Sequence, residues 1–235
     1  MASKKKNIVL TNLKSKEFPD VEYHLFRLSN FFVEEQVHTT FPDARDFQKA
    51  SQTACSYYSL FTFQPNRGAL TDATEEELLE ESDAFRKGVS HLSSGNSADN
   101  VSELIGYTPE SKIWKDESRE VFFAFMRHVD SELQKAMDGD GTVESGDKYF
   151  FDWSDPATGL PINSRRGPSI LVDNDLLERF FSFNSVYVCV GGGGCRMIEH
   201  PKLGLNVYPA SGIICVANDD LPLLTDVLTR LSVTS

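Results

Sequence analysis

Cys195 closes a run of four glycines, Gly191 to Gly194, and His200 stands five residues beyond it. A thiolate is a nucleophile and a soft metal ligand, and an imidazole is a base and a ligand. Glycine removes the side chains that would hold a bulky ligand off the backbone. Four chemistries compete for such a stretch. A phosphate cradle needs Lys followed by Ser or Thr, or Gly-x-Gly-x-x-Gly opening a helix. Neither follows here, and Pro201 cuts short any helix that starts at the glycines. Thiol catalysis needs a base and a group that orients it, and one histidine five residues away establishes neither. Cys189 and Cys195 lack Cys-x-x-Cys spacing, although a hairpin turn at the glycines would let them approach as a regulatory disulfide. A structural zinc site wants four ligands in paired spacing, where Cys195 and His200 supply two. On these residues alone a flexible hairpin is the leading reading.

Charge narrows the partners. The 235-residue chain carries 35 acidic against 23 basic residues, a formal net charge of −12. Its basic clusters are Lys4-Lys5-Lys6 and Arg165-Arg166, too few to expect a nucleic-acid partner or an anionic membrane surface. Four cysteines in a chain this long do not make a disulfide framework, which points to a reducing compartment. No apolar run reaches transmembrane length. The first arginine is Arg27, unlike an Arg-rich mitochondrial presequence, so a cytoplasmic location is expected, with a mitochondrial one left open.

The elements that must position the glycine run follow from periodicity. Val186, Val188 and Val190 alternate with Ser185, Tyr187 and Cys189, a strand running into the glycines. Ser56–Phe63 is aromatic and Thr-containing, a second strand, and Ile213–Ala217 is an apolar run expected to be a strand buried on both faces. Phe122, Phe125, Met126, Val129, Leu133 and Ala136 recur at spacings of three and four, which predicts a helix over 117–137 with Asp116 as cap and Gly139 as terminator. That stripe is core packing rather than a cofactor box, with His128 at its edge. Phe41–Phe47 reads as a turn into a short helix, Leu176–Phe181 as helical, and Leu224, Val227, Leu228 and Leu231 as one face of a final helix. Thr74 before three glutamates reads equally as a helix cap or as the start of a solvated charge run, and Ser93–Ser97 as linker. Val21–Val37 has no clean period. Cys55 and Cys215 sit in apolar strands and are expected to be inert core residues. Mixed order without regular βαβ alternation gives an α+β fold with a mixed, mainly antiparallel sheet and flanking helices.

The C-terminal third also resembles a known family. Tyr149-Phe150-Phe151-Asp152-Trp153, then Asp155-Pro156-Ala157-Thr158-Gly159-Leu160, Gly167-Pro168, and finally Gly193-Gly194-Cys195-Arg196-Met197-Ile198-Glu199-His200 with Gly204 look like the methylmalonic aciduria and homocystinuria type D protein family. The order and approximate spacing hold over residues 149–231. The resemblance implies a modified nitroreductase-like α+β fold that has lost flavin binding and catalysis. It divides the chain into a polar segment 1–20 and one domain 21–235, with 69–112 an acidic insertion. It implies a non-enzymatic adaptor that docks on a cobalamin carrier of the type C family and directs cofactor to methionine synthase or methylmalonyl-CoA mutase. The site it implies is Gly193, Gly194, Cys195, Arg196 and His200, with Cys195 the candidate cobalt ligand in the partner complex. On chemical grounds a neighbouring cation such as Arg196 lowers a thiol's pKa and raises its thiolate fraction. His200 is read more readily as structural. One departure stands out: aligning Ile198 and His200 places Gly194 where the family has the first of two adjacent cysteines, the cobalt-binding one. Either Cys195 ligates after a one-residue shift, or the cobalt–sulfur bond is lost. The competing readings are a flavin-dependent nitroreductase-like oxidoreductase, which lacks a clear basic cluster for the flavin phosphate, and an interaction domain with a changed partner.

Overall fold

The computed structural model describes residues 7–66, 117–137, 148–171, 173–181, 183–190 and 193–233. The chain divides into two compact units, Met1–Asn66 with Val121–Ser235, and Arg67–Glu120. Of the second, only Glu117–Glu120 falls among the described residues. Thr74, Ser93–Ser97, Asp116, Gly139 and the segment 69–112 lie outside them.

The first unit is mixed helix and strand around a mainly antiparallel sheet. Strands β1 (Ile8–Lys14), β2 (Glu22–Arg27), β3 (Cys55–Pro65), β4 (Tyr149–Trp153) and β7 (Val207–Ala217) form five strands in the order β1-β2-β3-β7-β4. Every adjacent pair is antiparallel. The axis is β3 against β7, in unbroken register from Cys55↔Ala217 to Pro65↔Val207. Ile213, Ile214, Cys215 and Val216 are all fully buried, as their apolar run predicted.

Period-two alternation sorts the side chains into two cores. One holds Tyr58, Leu60, Ile214 and Val216 with the long helix α2 (Glu117–Met137) and the last helix α4 (Leu221–Arg230). The expected α2 stripe is buried at Phe122, Phe125, Met126, Val129 and Leu133, each worth roughly 1.5–3 kcal/mol of apolar burial. Tyr23 ties β2 to α4 by donating to the Leu228 carbonyl at 2.6 Å. His128 is half-buried at the edge of the stripe, 3.6 Å from Glu17. The other core holds Tyr57, Phe61, Phe63, Ile213 and Cys215 with α1 (Pro42–Ala50), α3 (Asp173–Phe180) and the helical stretch of Asn30–Phe32, Val33–Val37 and His38–Thr40. Val21–Val37 lacked a period because β2 is buried on both faces and is followed by a π-helical turn at Val33–Val37.

The aspartates and glycines of the family-like motifs act as staples of this fold. The Asp155 side chain accepts from Ala157 N–H at 3.1 Å and the Thr158 hydroxyl at 3.0 Å, and its carbonyl accepts from Gly159 N–H at 2.7 Å. Gly159 has φ +73°, a left-handed turn that glycine adopts without strain. Gly167 donates to the Thr40 carbonyl at 3.1 Å, in a backbone contact so close that a Cβ would lie 1.8 Å from the Thr39 oxygen.

Asp173, opening α3, accepts a hydrogen bond from Ser211 in the middle of β7. Burial pushes its carboxyl up to about 7. A carboxyl whose folded pKa is raised holds its proton longer in the folded chain than in the unfolded one. Stability is therefore expected to fall as pH rises from about 4 to 7, on the order of 3 kcal/mol across that window for this group. Urea titrations at stepped pH check this, and Asp173→Asn is expected to remove part of the slope. Asp130 and Asp152 are raised by burial too and act in the same direction.

Candidate functional site

Gly193 and Gly194 of the glycine run belong to a second, separate sheet. Strands β5 (Asn184–Val190) and β6 (Gly193–Glu199) pair with each other in an antiparallel two-stranded ribbon, and two residues, Gly191 and Gly192, connect them in sequence. The antiparallel pairing agrees with the hairpin part of the flexible-hairpin reading, and the connecting Gly191 and Gly192 lie outside the described residues. What the sequence did not anticipate is that Gly193 and Gly194 are themselves strand residues. Gly weakens strands in general, so β6 forms here through its register with the Val-rich β5 rather than through its own propensity.

The register fixes which residues meet. Gly193 pairs with Val190, Gly194 with Cys189, Cys195 with Val188, and Arg196 with Tyr187. Cys189 and Cys195 are therefore one rung out of register, and the regulatory disulfide between them is not favoured. Instead Cys189 stands on the rung of Gly194, the position at which the resemblance expected a cysteine.

At the other end of β6 the ribbon is rooted in the aromatic core. Ile198 is buried, and His200 follows it, 5% exposed. His200 and Gly204 form a two-way bridge: His200 N–H donates to the Gly204 carbonyl at 2.9 Å, and Gly204 N–H donates back at 2.8 Å. The His200 Nδ1 accepts from Lys202 N–H at 3.2 Å and Leu203 N–H at 3.3 Å, which leaves the ring proton on Nε2. The ring packs on Phe63 at 4.9 Å and Phe183 at 5.2 Å, and burial lowers its pKa. A neutral, locked imidazole that closes a turn is a structural histidine. Five residues of strand, roughly 16 Å of backbone, separate it from Cys195, so the two do not form a catalytic dyad. Gly193, Gly194 and Cys195 thus gather at one end of the ribbon, and His200 lies at the other.

Next to this root lies a group that sequence reasoning missed. Lys202 reaches Glu22 of β2 at 2.8 Å, and Glu22 Oε1 stands 3.5 Å from His24 Nε2. His24 and Lys202 hold the Glu22 carboxyl down at about 2 against the opposing effect of burial. The available signal was a histidine embedded in the apolar run Tyr23-His24-Leu25-Phe26.

The other two cysteines are placed differently from each other. Cys215 is fully buried, and burial pushes its thiol well above the ordinary range. Cys55, expected to be a core residue, is half-buried at the first position of β3, with its thiol 3.2 Å from Ser51 Oγ. Among the described residues, no group of three or more His, Cys, Asp or Glu is placed to hold a metal ion, and no helix is long and apolar enough to cross a membrane. No family model matches the chain, and no curated protein matches it.

Proposed function

We propose that the chain is a non-enzymatic adaptor in cobalamin trafficking, with a modified nitroreductase-like fold, that docks on a cobalamin-bearing carrier of the type C family through the glycine end of the β5–β6 ribbon. The observation that carries this reading is the ribbon itself: a sheet apart from the main one, whose last rungs are glycines with a cysteine position beside them. A corrin-bearing partner needs bare backbone for close approach and one soft donor for cobalt. Gly193 and Gly194 offer the first, and Cys195 or Cys189 the second. The motif residues Asp155, Gly159 and Gly167 are occupied with holding turns together, which supports a binding role for the ribbon rather than for them. Onward delivery to methionine synthase or methylmalonyl-CoA mutase belongs to the same proposal. The departure at Gly194 favours one alternative, an interaction domain that keeps the partner and has lost the cobalt bond.

Association with a cobalamin-loaded carrier tests the ribbon directly. Gly194→Trp is expected to weaken binding at least about tenfold, a loss of about 1.4 kcal/mol, with the melting temperature little changed. Unchanged affinity in a folded Gly194→Trp variant would remove the ribbon from the interface.

A further inference from the structure

β4 is the last strand of the main sheet, with β7 on one side and no strand on the other among the described residues. A cavity of about 290 Å³ opens along that outer edge. Tyr149 to Asp152 of β4 line it, with Asp130 and Gln134 of α2 on one face of the sheet, Asp43 of α1 on the other, and Asn163. Gln134 and Asn163 are exposed, and Phe151 and Asp130 are half-buried, so the groove is open to a ligand.

In an antiparallel pair, the N–H and C=O of successive residues point alternately toward the partner strand and away from it. β4 pairs with β7 in unbroken register from Tyr149↔Val216 to Trp153↔Gly212. The Trp153 carbonyl accepts from Ile162 N–H at 3.1 Å, and the Trp153 N–H donates to the Asp152 carboxylate at 2.7 Å, so Trp153 faces outward. Phe151, two residues earlier, faces outward as well. The 160–162 segment covers the edge at Trp153 and Ser154, but the Phe151 N–H and C=O have no partner there among the described residues. An outward pair of this kind on a sheet edge is a template for a further strand.

The groove is also acidic. Asp43 is paired with Arg165, and Asp152 accepts from the backbone of Asn163 and Ser164. Asp130 is placed differently. Its Oδ1 accepts from the Tyr149 hydroxyl at 2.7 Å, Gln134 Nε2 stands 3.5 Å from its Oδ2, and no ion pair reaches it among the described residues. Burial pushes its carboxyl up, with no cation to offset the loss of water. No Lys or Arg lines the groove, and the whole chain carries a net charge of −12.

We propose that the outer edge of β4 takes an extended strand of a partner protein, hydrogen-bonded to the Phe151 backbone and carrying a lysine or arginine that pairs with Asp130. Addition of a peptide strand to a sheet edge draws its affinity from main-chain bonds and its specificity from alternate side chains. The peptide residue opposite Phe151 shares the face of Phe151, because directly opposed residues point the same way. Tyr149 lies on that face too, by period two, and its hydroxyl is the one that meets Asp130. A basic residue at the opposed position is therefore directed toward the Asp130 carboxylate. The inference stands apart from the cobalamin reading, since β4 belongs to the main sheet and the ribbon to the other.

The probe is the capped pentapeptide acetyl-Thr-Val-Lys-Val-Thr-amide, added to the ¹⁵N-labelled full-length chain while the Phe151 amide resonance is followed. It is expected to shift that resonance saturably and to slow its hydrogen exchange. The same peptide with Glu in place of Lys is expected to bind at least about tenfold more weakly, and so is the peptide N-methylated at its Lys, which lacks the central backbone donor. Asp130→Asn keeps an acceptor for the Tyr149 hydroxyl and is expected to bring the Lys and Glu peptides within about threefold of each other. Should that variant fail to fold, the three peptides on the wild-type chain still decide. No saturable shift at Phe151, or equal binding of the Lys peptide and either of its controls, would overturn the proposal.

Discussion

Gly167→Ala is expected to destabilise the protein by about 3 kcal/mol or more, among the largest effects of any single methyl group in this chain. The added Cβ would lie 1.8 Å from the Thr39 oxygen and 2.7 Å from its carbon. Both are backbone atoms, so no rotamer change relieves the clash. The 165–169 segment must move as a whole, breaking Gly167 N–H to Thr40 and Ser169 N–H to Thr39. It must also strain the pairing of Arg165 with Asp43 and Asp46 of α1. Gly204→Ala is the control. It has φ +59° but open space around the new atom, so only the left-handed penalty of about 1 kcal/mol applies. Urea unfolding of the two variants separates close approach from backbone conformation. Equal losses in both would mean that the Thr39 contact has no special weight.

Asp152→Ala is the second. This fully buried carboxylate of β4 accepts from Trp153 N–H at 2.7 Å, Asn163 N–H at 3.1 Å, Ser164 N–H at 2.9 Å and the Ser164 hydroxyl at 2.5 Å. Removing it orphans three backbone donors at once, and a loss of about 3–5 kcal/mol is expected. Asp152→Asn keeps one acceptor oxygen but turns an NH₂ toward the remaining donors, so it is expected to fall between wild type and Asp152→Ala. Ser164→Ala removes one bond of the set and is expected to cost only about 1 kcal/mol. Thermal unfolding in that order, with Asp152→Ala lowest, checks the hub. An Asp152→Ala protein as stable as Ser164→Ala would contradict it.

These effects bear on the family-like motifs. The Asp-Pro-x-x-Gly-Leu and Gly-Pro stretches were visible in the sequence as landmarks, but their role was not. Each works through backbone atoms far away in the chain: Gly167 against Thr39, and Gly159 against Leu171. No local pattern announces such contacts. The elements that read correctly were those with one buried face or an unbroken apolar run, such as α2, α4 and the second half of β7. β2 escaped because burial on both faces erases alternation, and β6 because its glycines are held by β5 and not by their own preference. The site was legible in part. Gly193, Gly194 and Cys195 do share one end of a ribbon, whereas His200, five residues on, belongs to its root. The group of Glu22, His24 and Lys202 was hidden because Lys202 reaches Glu22 from 180 residues further along the chain.

pH offers a further view of the same framework. Glu22 is held at about 2 by His24 and Lys202, so its contribution is lost as pH falls from about 4.5 toward 2. Asp173 acts in the opposite sense, and its effect is felt as pH rises toward 7. The lowered His200 imidazole opposes Asp173, because the folded chain resists its protonation and loses stability as pH falls below about 6.5.

The central claim is that the glycine end of the ribbon meets a cobalamin-bearing partner with a thiol in place. Its most direct test is the visible absorption of cobalt in a cobalamin-loaded type C carrier, recorded while this protein is added, with wild type, Cys195→Ser and Cys189→Ser compared. The account predicts a saturable spectral change with wild type that one of the two cysteine variants abolishes while still binding the carrier. A spectral change that survives in both variants would contradict thiolate ligation from the ribbon, and no association with the carrier would contradict the adaptor role itself.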